Sequence, residues 1–201
     1  MERNNITLNA VCMAAGFSKR FSAQNKLLVP FGTGLLVEKA LVLLQFPLFH
    51  KTVLVTGEAD IIALATKTGI SFIENTTPTL GQSYSIKLGL QALPEADGTL
   101  FLPADMPLLS AHMLRRMYTL FAKNPDSIIA ACTNGVRKSP VIFPASCNED
   151  LLALTGDYGG KQIIEHGHCP MLLCEAPHPT ELLDVDTPQD LQTLLTISKT
   201  L

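Results

Sequence analysis

No G-x-x-x-x-G-K-[ST] phosphate loop occurs in this chain, which excludes one common kind of nucleotide site. The nearest approach, Gly156-Asp157-Tyr158-Gly159-Gly160-Lys161, has the wrong glycine spacing and places Gln162 where a metal-binding hydroxyl belongs. Gly32-Thr33-Gly34 carries Val37 where a dinucleotide fingerprint needs its third glycine. There is no G-x-S-x-G elbow, so serine-hydrolase chemistry has no support. No apolar run reaches the length of a membrane span, because Glu38 and Lys39 interrupt the best candidate. Basic runs are missing as well, and 15 basic against 18 acidic residues give a net charge of −3. That balance argues against a nucleic-acid partner, and any anionic ligand must be held by a few placed cations and backbone N–H groups. The five cysteines are odd in number and form no C-x-x-C pair, so reduced thiols and a cytoplasmic location are expected. His166, His168, Cys169, Cys174 and His178 cluster in sequence but fit no zinc-ligand spacing. Repeats, low-complexity tracts and linkers are absent too, and 201 residues are expected to form a single domain.

What is present is an alternation of apolar strands and helices in a chain that is 47% hydrophobic. Strands are expected at Ile6–Met13, Thr52–Thr56, Ile70–Glu74, Thr99–Leu102 and Ser127–Ala131. Glu2 offsets Arg3 and Asn9 breaks a short apolar run, so the first of these reads as a core strand and not as a secretion leader. Helices are expected at Leu35–Phe46, Glu58–Thr68, Ser83–Leu93 and Ala111–Lys123, ended in turn by Pro47, Gly69 and Pro94 for the first three. The pattern implies an α/β three-layer sandwich with a mainly parallel twisted sheet. Beyond it, Pro140–Phe143 reads as a strand with its proline at the first residue or on an edge. Ser146 with Glu149 reads as a capping box, Met171–Cys174 and Leu182–Val185 as strands, and Thr187-Pro188-Gln189-Asp190 as the start of a last helix.

Four segments could carry chemistry. After the first strand, Ala14-Ala15-Gly16 lets backbone N–H groups approach a ligand, with Ser18 close behind, and Arg20 and Lys26 follow as cations suited to phosphate oxygens. Asp105, in Leu102-Pro103-Ala104-Asp105-Met106-Pro107, lies just past a strand's carboxyl end, where a carboxylate suits Mg²⁺ held with substrate phosphates. An ordinary turn aspartate fits the same pattern. In Leu182-Leu183-Asp184-Val185-Asp186-Thr187-Pro188, alternation puts Asp184 and Asp186 on one face, and Asp186 is either a second metal carboxylate or a charge complementing the next helix's dipole. Asn75-Thr76-Thr77-Pro78-Thr79-Leu80-Gly81-Gln82-Ser83-Tyr84-Ser85 opens a helix with small polar residues, for contact with a base or phosphate or for plain capping.

In this order the segments resemble the molybdenum cofactor cytidylyltransferase family, within the nucleotidyltransferases of glycosyltransferase-A-like fold. The match runs through Ala14-Ala15-Gly16-Phe17-Ser18-Lys19-Arg20 with Asn25-Lys26-Leu27-Leu28, Gly81-Gln82-Ser83-Tyr84-Ser85, Ala104-Asp105-Met106-Pro107, Pro140-Val141-Ile142-Phe143, Gly156–Lys161 and Asp184-Val185-Asp186-Thr187-Pro188. The resemblance implies transfer of CMP from CTP to the terminal phosphate of molybdenum cofactor, with pyrophosphate released and a molybdoenzyme as recipient of the product. It implies Arg20, Lys26 and Asp105 as catalytic residues, and Asp105 with Asp186 as ligands of Mg²⁺. Ala14, Ala15, Gly16, Ser18, Arg20, Lys26, Asn75, Gly81, Ser83 and Ser85 would contact the nucleotide, and Pro140, Asp157 and Lys161 the acceptor. Ala15, where guanylyltransferase relatives carry glycine, leans towards cytidine. Three positions depart from the family pattern: Phe21-Ser22 after Arg20, Lys138-Ser139 before Pro140, and Lys161 in place of arginine. Alternatives are another phosphorylated acceptor such as a sugar or polyol phosphate, GTP as donor, or a non-catalytic nucleotide- or cofactor-binding carrier.

Overall fold

A computed structural model describes residues 6–16, 21 and 25–199. One seven-stranded sheet runs through it in the order β5-β4-β1-β6-β8-β7-β9. Its strands are β1 (Leu8–Met13), β4 (Thr52–Thr56), β5 (Phe72–Glu74), β6 (Gly98–Pro103), β7 (Ile128–Thr133), β8 (Val136–Pro144) and β9 (Met171–Glu175), while β2 (Pro30–Phe31) and β3 (Gly34–Leu35) form a small hairpin. β1 runs parallel to both β4 and β6, β4 to β5, and β7 to β9. β8 is antiparallel to both its neighbours, β6 and β7.

Each strand alternates its side chains between two apolar layers. Ala10, Cys12 and Leu54 face a layer filled from α1 (Leu36–Leu44), α2 (Ala59–Thr68), α4 (Ala111–Lys123) and α7 (Pro188–Ser198). Val11, Val53 and Val55 face the other, filled from α3 (Gln82–Gln91), α5 (Asn148–Ala153) and α6 (Gly160–His166). The helices are built by their apolar spacing: α4 buries Met113, Leu114, Met117 and Phe121, and its N-cap Ser110 accepts a hydrogen bond from the Met113 amide at 3.0 Å. Gly69 ends α2 in the left-handed conformation at φ +72°. Gly89 lets α3 press on β1, since a Cβ there would lie 2.4 Å from Val11 Cγ1.

The expected α/β three-layer sandwich is therefore the fold. Several local expectations are corrected. Pro140 sits inside β8, a strand flanked on both sides, and not at a strand start or an edge. The register of β7 against β8 shifts between Ala130 and Cys132, a local irregularity beside Pro140 that loosens the demand for its missing N–H. Ser146 forms no capping box, and α5 starts after Cys147 without a side-chain cap. Leu182–Val185 is no strand: a short 3-10 turn, Pro179–Leu182, leads into a connection that joins no ladder. The helix start at Thr187 forms as expected, with Thr187 accepting from the Asp190 amide and Asp190 accepting from that of Thr187.

The connection from β1 runs to β4 on one side, while β6 pairs on the other. The strand order reverses between β1 and β6, and in open α/β sheets ligands bind in the crevice beyond the carboxyl ends at such a point.

Candidate active site

Both flanks of that crevice come from the segments the sequence singled out. β1 ends in Ala14-Ala15-Gly16 and β6 in Ala104-Asp105, joined where the Ala104 amide donates to the Met13 carbonyl at 3.2 Å. The Ala14 N–H is not offered to a ligand: it donates to the Val55 carbonyl at 2.9 Å, and the buried Thr56 hydroxyl donates to the Ala14 carbonyl at 3.2 Å. These bonds fix the base of the turn, leaving Ala15 and Gly16 as its projecting part. Lys26 arrives from a 3-10 turn, Lys26–Leu28, whose cap Asn25 accepts from the Leu27 amide.

Lys26 meets both carboxylates directly. Its Nζ lies 2.6 Å from Asp105 Oδ2 and 3.0 Å from Asp186 Oδ1, so three residues spread over 160 positions form one ion-paired cluster. Asp186 reaches it because the Val185 amide donates to the Asp105 carbonyl at 2.9 Å while the Val185 side chain is wholly buried. Burial is the largest influence on Asp105 and outweighs the pull of Lys26, so its carboxyl lies above the usual carboxylate range, and Asp184 adds to the rise. Burial alone would lower Lys26, but the carboxylates, Asp105 foremost, outweigh it and raise the ammonium above its ordinary value.

Two cavities meet here. The smaller, about 270 Å³, is lined by Ala14–Gly16, Lys26, Gly81, Gln82, Ser85 and Asp105, among others. The larger, about 710 Å³, runs from Phe101 and Phe143 to Arg137, Lys161 and Glu165. Met13, Gln82 and Asp157 line both, so the two are adjacent. Gly81 is the hinge of this arrangement. At φ +84° a Cβ would lie 2.4 Å from the Gly156 carbonyl carbon and 2.6 Å from Asp157 Oδ1. The Ser83 amide donates to the Gly156 carbonyl, which ties the head of α3 to the 156–161 loop. Gly81→Ala is expected to cost about 2–3 kcal/mol, measured by urea unfolding, because left-handed strain and a backbone clash add.

Not every expected residue reaches the site. Asn75 and Ser83 are buried and line neither of these cavities. Asn75 instead braces the wall, donating from Nδ2 to Ser85 Oγ at 3.0 Å and accepting from the Thr77 amide. Pro140 is likewise buried between Ser139 and Val141, which do line the larger cavity. Ser18 and Arg20 lie outside the described residues. Sequence reasoning passed over Gln82 and Arg137. The helix-opening G-Q-S triplet was the signal for Gln82, and a cation beside the Lys138-Ser139 departure was the signal for Arg137. It also missed α6, a seven-residue helix whose opening glycine packs on the Phe143 ring.

Over residues 10–171 the sequence matches the MobA-like NTP transferase domain. This chain belongs to that family. It is a nucleotidyltransferase, and Asp186 falls beyond the matched residues although the fold brings it to Asp105. No curated protein matches the sequence significantly. Among solved structures, the homologue of Mycobacterium tuberculosis Rv0371c from Mycobacterium sp. strain JC1 superposes with a TM-score of 0.81 at 22% identity, covering 96% of this chain and 97% of its own. Rv0371c of M. tuberculosis H37Rv in complex with manganese gives 0.76 at 23%, covering 94% and 98%. The molybdopterin-guanine dinucleotide biosynthesis protein A of Archaeoglobus fulgidus gives 0.68 at 15%, covering 96% and 100%. At these identities the likeness is one of fold. Among the described residues no helix is long and apolar enough to cross a membrane.

Proposed function

We propose that this nucleotidyltransferase transfers CMP from CTP to the terminal phosphate of molybdenum cofactor, working in the cytoplasm with a molybdoenzyme receiving the product. The observation that carries the reading is Lys26 and Asp105 at the wall of a small cavity beside a larger one, with Asp186 ion-paired to the same Lys26 from outside the lining. A donor nucleotide and a bulky acceptor can then meet above Asp105.

The carboxylates fit a divalent cation of the Mg²⁺ or Mn²⁺ type. Asp105 and Asp186 both reach Lys26 Nζ, which brings the two carboxylates to one place, and hard ions of this kind take one or two carboxylates with the remainder from phosphates and water. Among the described residues no third His, Cys, Asp or Glu joins them, which suits an ion that arrives with the triphosphate. The manganese complex of Rv0371c supports such a metal in this fold. When bound, the ion would neutralise charge on the α-phosphate. Asp105 and Asp186 would hold it, and Lys26 would carry the positive charge needed by the β- and γ-phosphates, with Arg20 as its expected partner. Ala15, Gly16, Gly81 and Ser85 would place the nucleotide, and Asp157 and Lys161 would border the acceptor.

An oxygen of the acceptor phosphate attacks the α-phosphorus in line. The α–β bridging bond breaks, pyrophosphate leaves, and a phosphoanhydride forms. A phosphate monoester has a second pKa near 6 and is largely dianionic at pH 7, so no general base is required. Among the described residues no histidine lines the smaller cavity. Pyrophosphate release measured with each of the four NTPs, with and without molybdenum cofactor, tests the reading. CTP and cofactor together should give the fastest release, and release that ignores the cofactor would sink the acceptor assignment.

Ala15 sets the base preference. Its methyl lines the smaller cavity at the turn, and a methyl-sized intrusion in a pocket is worth about 1–3 kcal/mol. CTP is expected to bind more tightly than GTP, and Ala15→Gly to narrow that preference by about tenfold in competition binding. A wild type that prefers GTP overturns the cytidylyl assignment and leaves nucleotidyl transfer standing.

A further inference from the structure

We propose that Arg137 is the anion anchor of the acceptor, gripping its phosphate in the larger cavity. The proposal rests on the nucleotidyl-transfer reading and adds to it a specificity-determining residue.

Arg137 enters the larger cavity from the start of β8, just after the Asn134-Gly135 turn, where both residues have positive φ. β8 runs antiparallel to β6, with Phe101 opposite Val141 and Gly98 opposite Pro144. The beginning of β8 therefore lies at the carboxyl end of β6, the end that carries Asp105. The Arg137 side chain is 27% exposed, but its Nη1 is buried and has no hydrogen-bond partner among the described residues. Its Nη2 stands 4.0 Å from Glu165 Oε1, too far for a hydrogen bond. The same oxygen is approached more closely by Lys161, at 3.6 Å. One carboxylate oxygen thus serves two cations, and at these distances it accepts a hydrogen bond from neither. An arginine that merely decorated a rim would leave its nitrogens in water or pair them fully. A buried donor without an acceptor instead costs about 1–3 kcal/mol, and more when charged.

The contrast with Lys26 is informative. Lys26 is gripped by two carboxylates within 3.0 Å, whereas the cation of the larger cavity is left short of oxygen. A guanidinium presents a planar fork that matches two oxygens of one phosphate. Lys138 and Lys161 add positive charge beside it, and Asp157 lies at the junction with the smaller cavity. The rest of the lining is mixed, with Gln162 and His166 among its polar members. Phe101 and Phe143 meet edge to face with centroids 5.9 Å apart, and Met13, Val141 and Ile164 extend the apolar wall. A volume of about 710 Å³ holds a fused ring system with its phosphate.

Calorimetric titration of 4-methylumbelliferyl phosphate and of 4-methylumbelliferone, a flat aromatic with and without the phosphate, tests this. Wild type should bind the ester at least about tenfold more tightly than the alcohol. Arg137→Gln should erase that preference while its affinity for CTP stays within about twofold, which also reports that the fold is intact. Arg137→Lys should keep part of the preference and serves as the readout if the glutamine variant does not fold. Equal binding of ester and alcohol by wild type overturns the proposal, as does a preference that survives in both variants. Loss of the preference in Lys26→Ala instead would put the ester in the nucleotide cavity and also overturn it. Failure of wild type to bind CTP defeats the nucleotidyl-transfer reading separately, and leaves the Arg137 result readable.

Discussion

Asp105→Asn is expected to lower the rate of pyrophosphate release by about a thousandfold, roughly 4 kcal/mol of transition-state stabilisation, while the protein remains folded. The side chain stands at the carboxyl end of β6 facing Lys26 and the cavity, and its structural contribution is made by its backbone: its carbonyl accepts from the Val185 amide. Asparagine keeps that bond and the side-chain volume and removes only the negative charge. The loss should therefore appear in turnover and in the dependence on added Mg²⁺ or Mn²⁺, with an unchanged circular dichroism spectrum. A folded asparagine variant with normal turnover would remove Asp105 from the chemistry.

Lys26→Ala should weaken CTP by about a hundredfold and CMP by less than about threefold, because the charge lost is the one that faces the β- and γ-phosphates. Equal losses for the two nucleotides would make Lys26 a purely structural cation. The variant has a second signature, in stability. Asp105 is four-fifths buried, and removing its counter-cation leaves a carboxylate that costs about 3 kcal/mol to keep charged. The sign follows from its shifted ionisation. The native Asp105 carboxyl already titrates above its ordinary value of 3.8, so the folded state holds this proton more tightly than the unfolded chain does. Stability therefore declines as pH rises through the interval between those two values. Without Lys26 that interval extends upward, so the deficit of the variant should be largest at neutral pH and shrink on acidification. For wild type, the raised Lys26 ammonium contributes fully below 10.5, and its contribution is lost only as pH climbs through its higher native value.

Much of this was legible before any coordinates. Asp105 could be placed because an apolar run followed by a proline-bounded turn marks a strand's carboxyl end, and Thr187-Pro188 marked the last helix because cap and proline act locally. Residues whose positions depend on distant partners were harder to read. Asp184 and Asp186 looked like neighbours on one strand face, yet that segment joins no ladder. What places Asp186 is one backbone bond from Val185 to Asp105, eighty positions away. Asn75 and Ser83 carry the polarity of ligand contacts, but the Asn75 amide is spent on Ser85 and Thr77, and Ser83 is buried with its backbone tied to Gly156, which composition cannot reveal. The rule that proline lacks a ladder donor puts Pro140 at a strand's first residue or on an edge. The irregular register beside it, which only pairing shows, lets it stand inside the sheet. In the sequence Arg137 is only a cation beside Lys138-Ser139, whereas its unpaired nitrogen and its distance from Glu165 belong to the tertiary structure.

The span of the Lys26 cluster has a kinetic consequence. Its members come from near the start, the middle and near the end of the chain, so closing the cluster requires loops of 79 and 160 residues. Such long-range contacts form late, since the chain must already be ordered between them before their closure becomes favourable. Six of the seven sheet strands precede residue 145, whereas Asp186 lies beyond the seventh. On the ribosome, a sheet can therefore assemble well before the chain that completes its ion cluster has emerged. Completion of the cluster thus waits on the segment that carries Asp186.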